Sequence, residues 1–240
     1  MKELLKEIYN LQNKLNIHTI ELENWYDGIS SKGMPIDWLR YAKLETAELV
    51  ESFPVKHWKD IDKLIDLING WVELADILHF LMSQLIKQDE LNNKNKEETI
   101  LSITAIFEKN MDNKSLSVLN QDRLDTTQAF FKNIDKWDYV LAGEHLKDTA
   151  DMTVLFEHFC LLCNSLELTF EELYKLYIGK NCLNQFRQDN GYKEGTYIKV
   201  WKGKEDNLVM KEILDSKKLN FEALYYELNK YYFSNVVEKK

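Results

Sequence analysis

Apolar positions recur at helical spacing along most of this chain. Leu4, Ile8, Leu11 and Leu15 fall at steps of four, three and four, which predicts an amphipathic helix over residues 2–19. Gln12 and Asn16 sit one turn apart beside that stripe. The pattern breaks over residues 24–35, where Gly28, Gly33 and Pro35 predict a loop, and Asp37 is placed to cap a second helix that ends before Pro54. A basic-aromatic cluster, Lys56-His57-Trp58-Lys59, follows. From Ile61 to Ile86 the chain is apolar almost all the way round a helical wheel, the pattern of a helix buried on nearly every side. A polar loop over Lys87–Asn95 leads to shorter helices near 96–109 and 122–134. Strongly apolar helices follow over 144–166 and 169–189, then an aromatic-rich helical tail from Phe221 to Phe233. The pattern reads as one all-α domain over residues 1–240: a helical bundle core of antiparallel helices, with an inserted helical lobe at about 90–140.

Composition agrees and removes some functions. Only two prolines and eight glycines occur, so little interrupts helices, and 45% apolar with 30% charged residues is ordinary for a globular protein. A net charge of −9 argues against gripping nucleic acid through a general electrostatic surface. The longest uncharged apolar run, Ile77 to Ile86, is about half of a membrane span. The N-terminus opens an amphipathic helix rather than a signal peptide. Cys160, Cys163 and Cys182 are odd in number and lack a framework spacing; Cys160-x-x-Cys163 lies mid-helix and reads as buried reduced thiols, which suits the cytoplasm.

The chemistry begins with two acidic pairs, Glu45-x-x-Glu48 and Glu73-x-x-Asp76. A spacing of three puts both members on one helix face, a turn apart. Carboxylates on a buried helix are costly unless neutralised, and no Lys or Arg stands beside them at helical spacing. An oxygen-only donor set selects Mg²⁺, with Mn²⁺ as the alternative, over zinc or copper. Asp76-x-x-His79 imitates half of a di-iron motif, but the second copy that such a site needs is missing.

A second constellation lies at 180–204, where six basic and two acidic residues give +4 on an acidic chain. Lys180, Asn184 and Arg187 share one helix face. The helix breaks at Asn190-Gly191, and a glycine-containing tail carries Tyr192 and Lys199. Cationic and amide donors beside a carboxylate metal site is the recurring arrangement for phosphoryl chemistry. The tail at about 190–207 is read as a mobile phosphate-binding segment that orders over its ligand.

These residues together resemble a family. Glu-Thr-Ala-Glu at 45–48, Glu-Leu-Ala-Asp at 73–76, Leu-Gln-x-x-Leu-Asn at 11–16 and the run Lys180-Asn181-x-Leu-Asn184-x-Phe-Arg187-Gln-x-x-Gly-Tyr192-Lys are similar to the dimeric all-α dUTPases, within the MazG-like nucleoside triphosphate pyrophosphatases. The resemblance covers both ends and weakens over about 90–140. It implies hydrolysis of dUTP, and of dUDP, to dUMP with Mg²⁺, by a homodimer. It assigns Glu45, Glu48, Glu73 and Asp76 as metal ligands, and Glu48, or alternatively Glu45, as the group that activates water. Lys59, Lys180, Asn184, Arg187, Tyr192 and Lys199 would hold phosphates; Gln12, Asn16 and Trp58 would meet uracil, and Phe80 the deoxyribose. Two other readings stand beside it: a pyrophosphatase of broader nucleotide specificity, and a helical module that binds metal or nucleotide without catalysis.

Overall fold

The structure is a computed structural model that describes residues 1–54, 64–111, 120–138, 150–217 and 219–236. Among these residues there are nine α-helices and one two-stranded hairpin. Helix α1 (Lys2–Ile20) buries its stripe through Leu5, Ile8, Leu15 and Ile20. The loop expected after it is more ordered than its glycines suggest. A 3₁₀ turn at Trp25–Asp27 sinks Trp25 completely, and an isolated bridge joins Ile29 to Pro35. Asp37 caps α2 (Trp38–Glu51) by accepting the Arg40 amide N–H.

Helix α3 (Leu67–Leu91) starts later and ends later than the apolar run suggests. Asp66 is the reason for the late start: its side chain accepts the Asn69 amide N–H and satisfies one orphan donor of the first turn. Leu64 stays outside the helix and is 86% exposed. The ending at Leu91 places Gln88 and Asp89, read as loop from their polarity, inside the helix and buried.

Helices α4 (Lys96–Asn110) and α5 (Asn120–Asp138) fill the stretch expected as a lobe. Ile100, Ile103, Phe107, Phe130 and Ile134 join the same buried cluster as Leu74, Leu78 and Leu81 of α3. Helix α6 (Met152–Ser165) begins at an Asp151 cap, and α7 (Phe170–Asp189) at a Thr169–Glu172 capping box. The core is thus α1, α2, α3 and α7 packed together, with α4, α5 and α6 extending it.

Beyond α7 comes an element absent from the sequence reading. Strands β1 (Val200–Trp201) and β2 (Lys204–Glu205) pair antiparallel around Lys202-Gly203. Both turn residues have positive φ, 50° and 81°, the two-residue turn that matches strand twist. The hairpin feeds α8 (Asp206–Ser216) and α9 (Phe221–Asn235). Trp201, Met210, Leu224 and Tyr232 form a second core against Phe186 of α7. Helices α7 and α8 touch at Gly179, where a Cβ would meet Leu214 Cδ1 at 2.4 Å. No helix among the described residues is long and apolar enough to cross a membrane.

Candidate active site

The acidic pairs meet as α2 and α3 pack. One oxygen each from Glu45, Glu73 and Asp76 lies within 4.8 Å of the others. Glu73 is 9% exposed, and Glu45 is half-buried. Burial, then Asp76, then Glu48 raise the Glu45 carboxyl to about 7. Burial, then Asp76, then Glu45 raise Glu73 to about 8, and the two glutamates share a hydrogen bond. Near neutral pH the two glutamates are therefore held partly protonated, Glu73 more than Glu45. The third has a different counter-ion: Lys180 Nζ, itself 2% exposed, sits 2.9 Å from Asp76 Oδ2. Three converging carboxyls with hard oxygen donors, too crowded to ionise together, fit a divalent cation of the Mg²⁺ class. Glu48 lies outside this trio, exposed one turn further along α2, yet close enough to repel Glu45.

The expected phosphate donors divide in two. Lys180 and Arg187 are buried and tied down, while Tyr192 and Lys199 are exposed. Arg187 forms a fork with Asp206, Nε to Oδ2 at 2.8 Å and Nη2 to Oδ1 at 2.7 Å. Its Nη1 donates to Asn184 at 3.2 Å, and its guanidinium lies 5.8 Å from the Tyr192 ring. Asp206 is wholly buried and also accepts from the Tyr197 hydroxyl. Sequence reasoning missed Asp206, Asn207 and Tyr197. The Glu205-Asp206-Asn207 run opening a periodic apolar stretch (Val209, Met210, Leu214) was the available signal.

At the other end of the site, Gln12 and Asn16 are both 2% exposed. Gln12 Nε2 donates to Asn16 Oδ1 and to Ser83 Oγ, each at 2.9 Å, and Gln12 Oε1 accepts the Tyr177 hydroxyl at 2.6 Å. Asn16 Nδ2 donates to Ser83 at 3.0 Å, which leaves it one amide hydrogen. Ser83, unnoticed in the sequence, is the hub. His79 stacks on Tyr177 with ring centroids 4.1 Å apart. Its Nδ1 pairs with the Ala75 carbonyl at 2.7 Å, and its buried Nε2 has no partner among the described residues. Burial drives its pKa down to about 4, so the ring is neutral and Nε2 is an acceptor. Phe80 stacks on Trp38 at 6.2 Å and meets Tyr41 edge-on at 5.5 Å. Trp58 and Lys59 lie outside the described residues.

Helix α3 orders these groups. Glu73, Asp76, Phe80 and Ser83 follow one another along one face, spanning ten residues or roughly 15 Å at 1.5 Å per residue. The carboxyls stand at its N-terminal end and the amide cluster two to three turns on.

Among curated proteins, none matches the chain. The dUTPase family model matches residues 4–192, more than three quarters of the sequence, and that span holds both acidic pairs, Gln12, Asn16, Phe80, Lys180 and Arg187. The all-helical architecture agrees, and the chain belongs to the dUTPase family, whose activity is hydrolysis of dUTP.

Proposed function

We propose that this protein hydrolyses dUTP to dUMP and pyrophosphate, and dUDP to dUMP and phosphate, with a divalent cation held by Glu45, Glu73 and Asp76. The observation that carries the reading is the convergence of those three carboxyls on one another, with the buried ammonium of Lys180 paired to Asp76 at their edge. Bound Mg²⁺, or Mn²⁺, would neutralise phosphate charge and acidify water. Glu48, at the exposed rim, takes the proton as a water oxygen attacks phosphorus, and the bridging bond to the leaving phosphate breaks. Glu45 is the alternative base. Lys180, Asn184 and Arg187 meet the phosphate chain, with Tyr192 and Lys199 closing over it from the 190–207 segment. Lys59 and Trp58 are proposed to join from the chain between α2 and α3.

The base is recognised by what the amide cluster leaves unpaired. Asn16 keeps one N–H for a uracil carbonyl, and His79 Nε2 is an acceptor for uracil N3–H. Gln12 holds Asn16 in place. Cytosine, with its N3 acceptor and exocyclic amine, would leave those groups mismatched in a buried site. Phe80, backed by Trp38 and Tyr41, packs against the deoxyribose. The exposed apolar side chains Leu44, Leu64 and Ile68 on and between α2 and α3 favour a homodimer, and three free buried cysteines suit the cytoplasm.

The deciding experiment measures pyrophosphate and phosphate release from dUTP, dUDP, dCTP, dTTP and UTP, with Mg²⁺ and with EDTA. Metal-dependent release confined to deoxyuridine nucleotides is the expected result. Comparable rates on several bases would instead support a broader pyrophosphatase. The Glu48→Gln variant should keep nucleotide affinity while turnover falls about 10²-fold or more; near-normal turnover would remove Glu48 from the mechanism.

A further inference from the structure

Both buried cations of the site are held from a part of the chain that the family match does not reach. Lys180 Nζ stands between Asp76 Oδ2 and Asn207 Oδ1, 2.9 Å from each. Arg187 Nη2 also reaches Asn207 Oδ1, at 3.2 Å, so one amide oxygen joins the two cations. Asp206 accepts from four donors: Arg187 Nε and Nη2, the Tyr197 hydroxyl at 2.8 Å and the Asn207 amide N–H at 2.9 Å. A guanidinium has five hydrogens. Asp206 takes two, Asn207 one and Asn184 one, which leaves a single N–H, on Nη1. The direction in which Arg187 can address a ligand is therefore set by Asp206.

The delivery of these acceptors is built into the fold. The tight hairpin ends at Glu205, and the Asp206 amide N–H returns to the Lys199 carbonyl at 3.0 Å. Helix α8 then lies against α7 at Gly179, the residue before Lys180. Asp206 and Asn207 are the first two residues of that helix and touch neither the carboxyl trio nor the amide cluster through any contact described above.

We propose that Asp206 and Asn207 are positioning residues for hydrolysis: they aim the remaining Arg187 N–H and the Lys180 ammonium at the phosphate chain. This rests on the reading of Lys180 and Arg187 as phosphate-binding groups. A fork with its free edge fixed acts in the transition state only while its orientation holds, and misplacement of about 1 Å costs roughly 10²-fold in rate.

The test uses the full-length chain and the variants Asp206→Asn and Asn207→Ala, alone and in the Arg187→Ala background. For Asp206→Asn, kcat/KM on dUTP should fall by about 10²-fold. For Asn207→Ala, which keeps the Arg187–Asp206 fork, it should fall about tenfold, the smaller loss of a single shared acceptor. Binding of deoxyuridine, which has no phosphate, should be unchanged in both, whereas binding of α,β-imido-dUTP should weaken. Once Arg187 is alanine, Asp206→Asn should have little further effect, because its action runs through that side chain. If Asp206→Asn does not fold, Asn207→Ala decides alone. Active wild type with a folded Asn207→Ala variant within twofold of it overturns the inference and leaves the assignment of the site standing. So does an Asp206→Asn loss that is equally large without Arg187. A wild type inactive on dUTP removes the underlying reading as well.

Discussion

The carboxyl trio makes a pH-dependent stability that can be worked through. Glu45 and Glu73 titrate at about 7 and about 8 in the folded chain, against 4.5 for an ordinary glutamate. A raised carboxyl pKa means that the native state binds more protons than the unfolded one, so stability falls as pH rises between those values. His79 works in the opposite sense: its folded value, about 4 against 6.5, makes stability rise with pH through that range and level off above it. From about pH 6.5 to 8.5 the glutamates therefore dominate, with the tail of the His79 titration opposing them weakly at the acid end and the buried thiols adding weakly at the alkaline end. Integrating the two titrations over it, at about 1.4 kcal/mol per unit, gives a loss of about 2–3 kcal/mol for the metal-free protein. For a chain of this length that is about 5–10 °C in Tm. Thermal unfolding in EDTA at several pH values across the window, with and without Mg²⁺ in excess, is the assay. The metal-free Tm should fall, Mg²⁺ should raise Tm most at the alkaline end, and Glu73→Gln should flatten the metal-free slope. A metal-free Tm that is constant or climbs from pH 6.5 to 8.5 would refute the reasoning.

Other outcomes follow from the packing. Ser83→Ala strips the hub from Gln12 and Asn16, stranding buried amide hydrogens; it should cost about 1–3 kcal/mol in urea unfolding and raise KM for dUTP. Gly179→Ala would push its Cβ to 2.4 Å from Leu214 Cδ1 and 2.5 Å from Met210 Sδ. The forced shift should cost about 1–3 kcal/mol and depress dUTP turnover together, because α8 carries Asp206; full turnover in the destabilised variant would separate the two effects. The Cys160 thiol, pushed up to about 12 by burial, and the likewise raised Cys163 and Cys182 should resist a disulfide reagent at pH 8 until the chain unfolds. Rapid reaction of folded protein at any of the three would contradict the packing there.

The sequence displays side-chain spacing, and what spacing controls was readable. Both acidic pairs, the α1 stripe and the Lys180–Asn184–Arg187 face are all consequences of 3.6 residues per turn. Contact between distant segments is not encoded in spacing. Lys180 as counter-ion to Asp76 joins positions 104 residues apart, and no local pattern announces it. Arg187 looked like a free cation because its partner, Asp206, lies beyond a hairpin too short to show alternation. Ser83 looked like a small filler on an apolar helix. The start of α3 was misplaced because apolarity continues through Leu64, while the decisive signal was the polar Asp66–Asn69 cap.

The distances along the chain that separate these partners also bear on how the molecule comes into being. Tyr177 and Gln12 are 165 residues apart, and the cation that faces the residue 76 carboxylate arrives only at residue 180. Contacts of such separation close late, after the entropy of long loops has been overcome. A growing chain that has already made α1, α2 and α3 thus holds its carboxyls with no ammonium opposite them, and its Gln12 amide with no Tyr177 hydroxyl. Assembly of the centre is expected to be among the last events of folding, so activity recovered during refolding should lag behind recovered helicity.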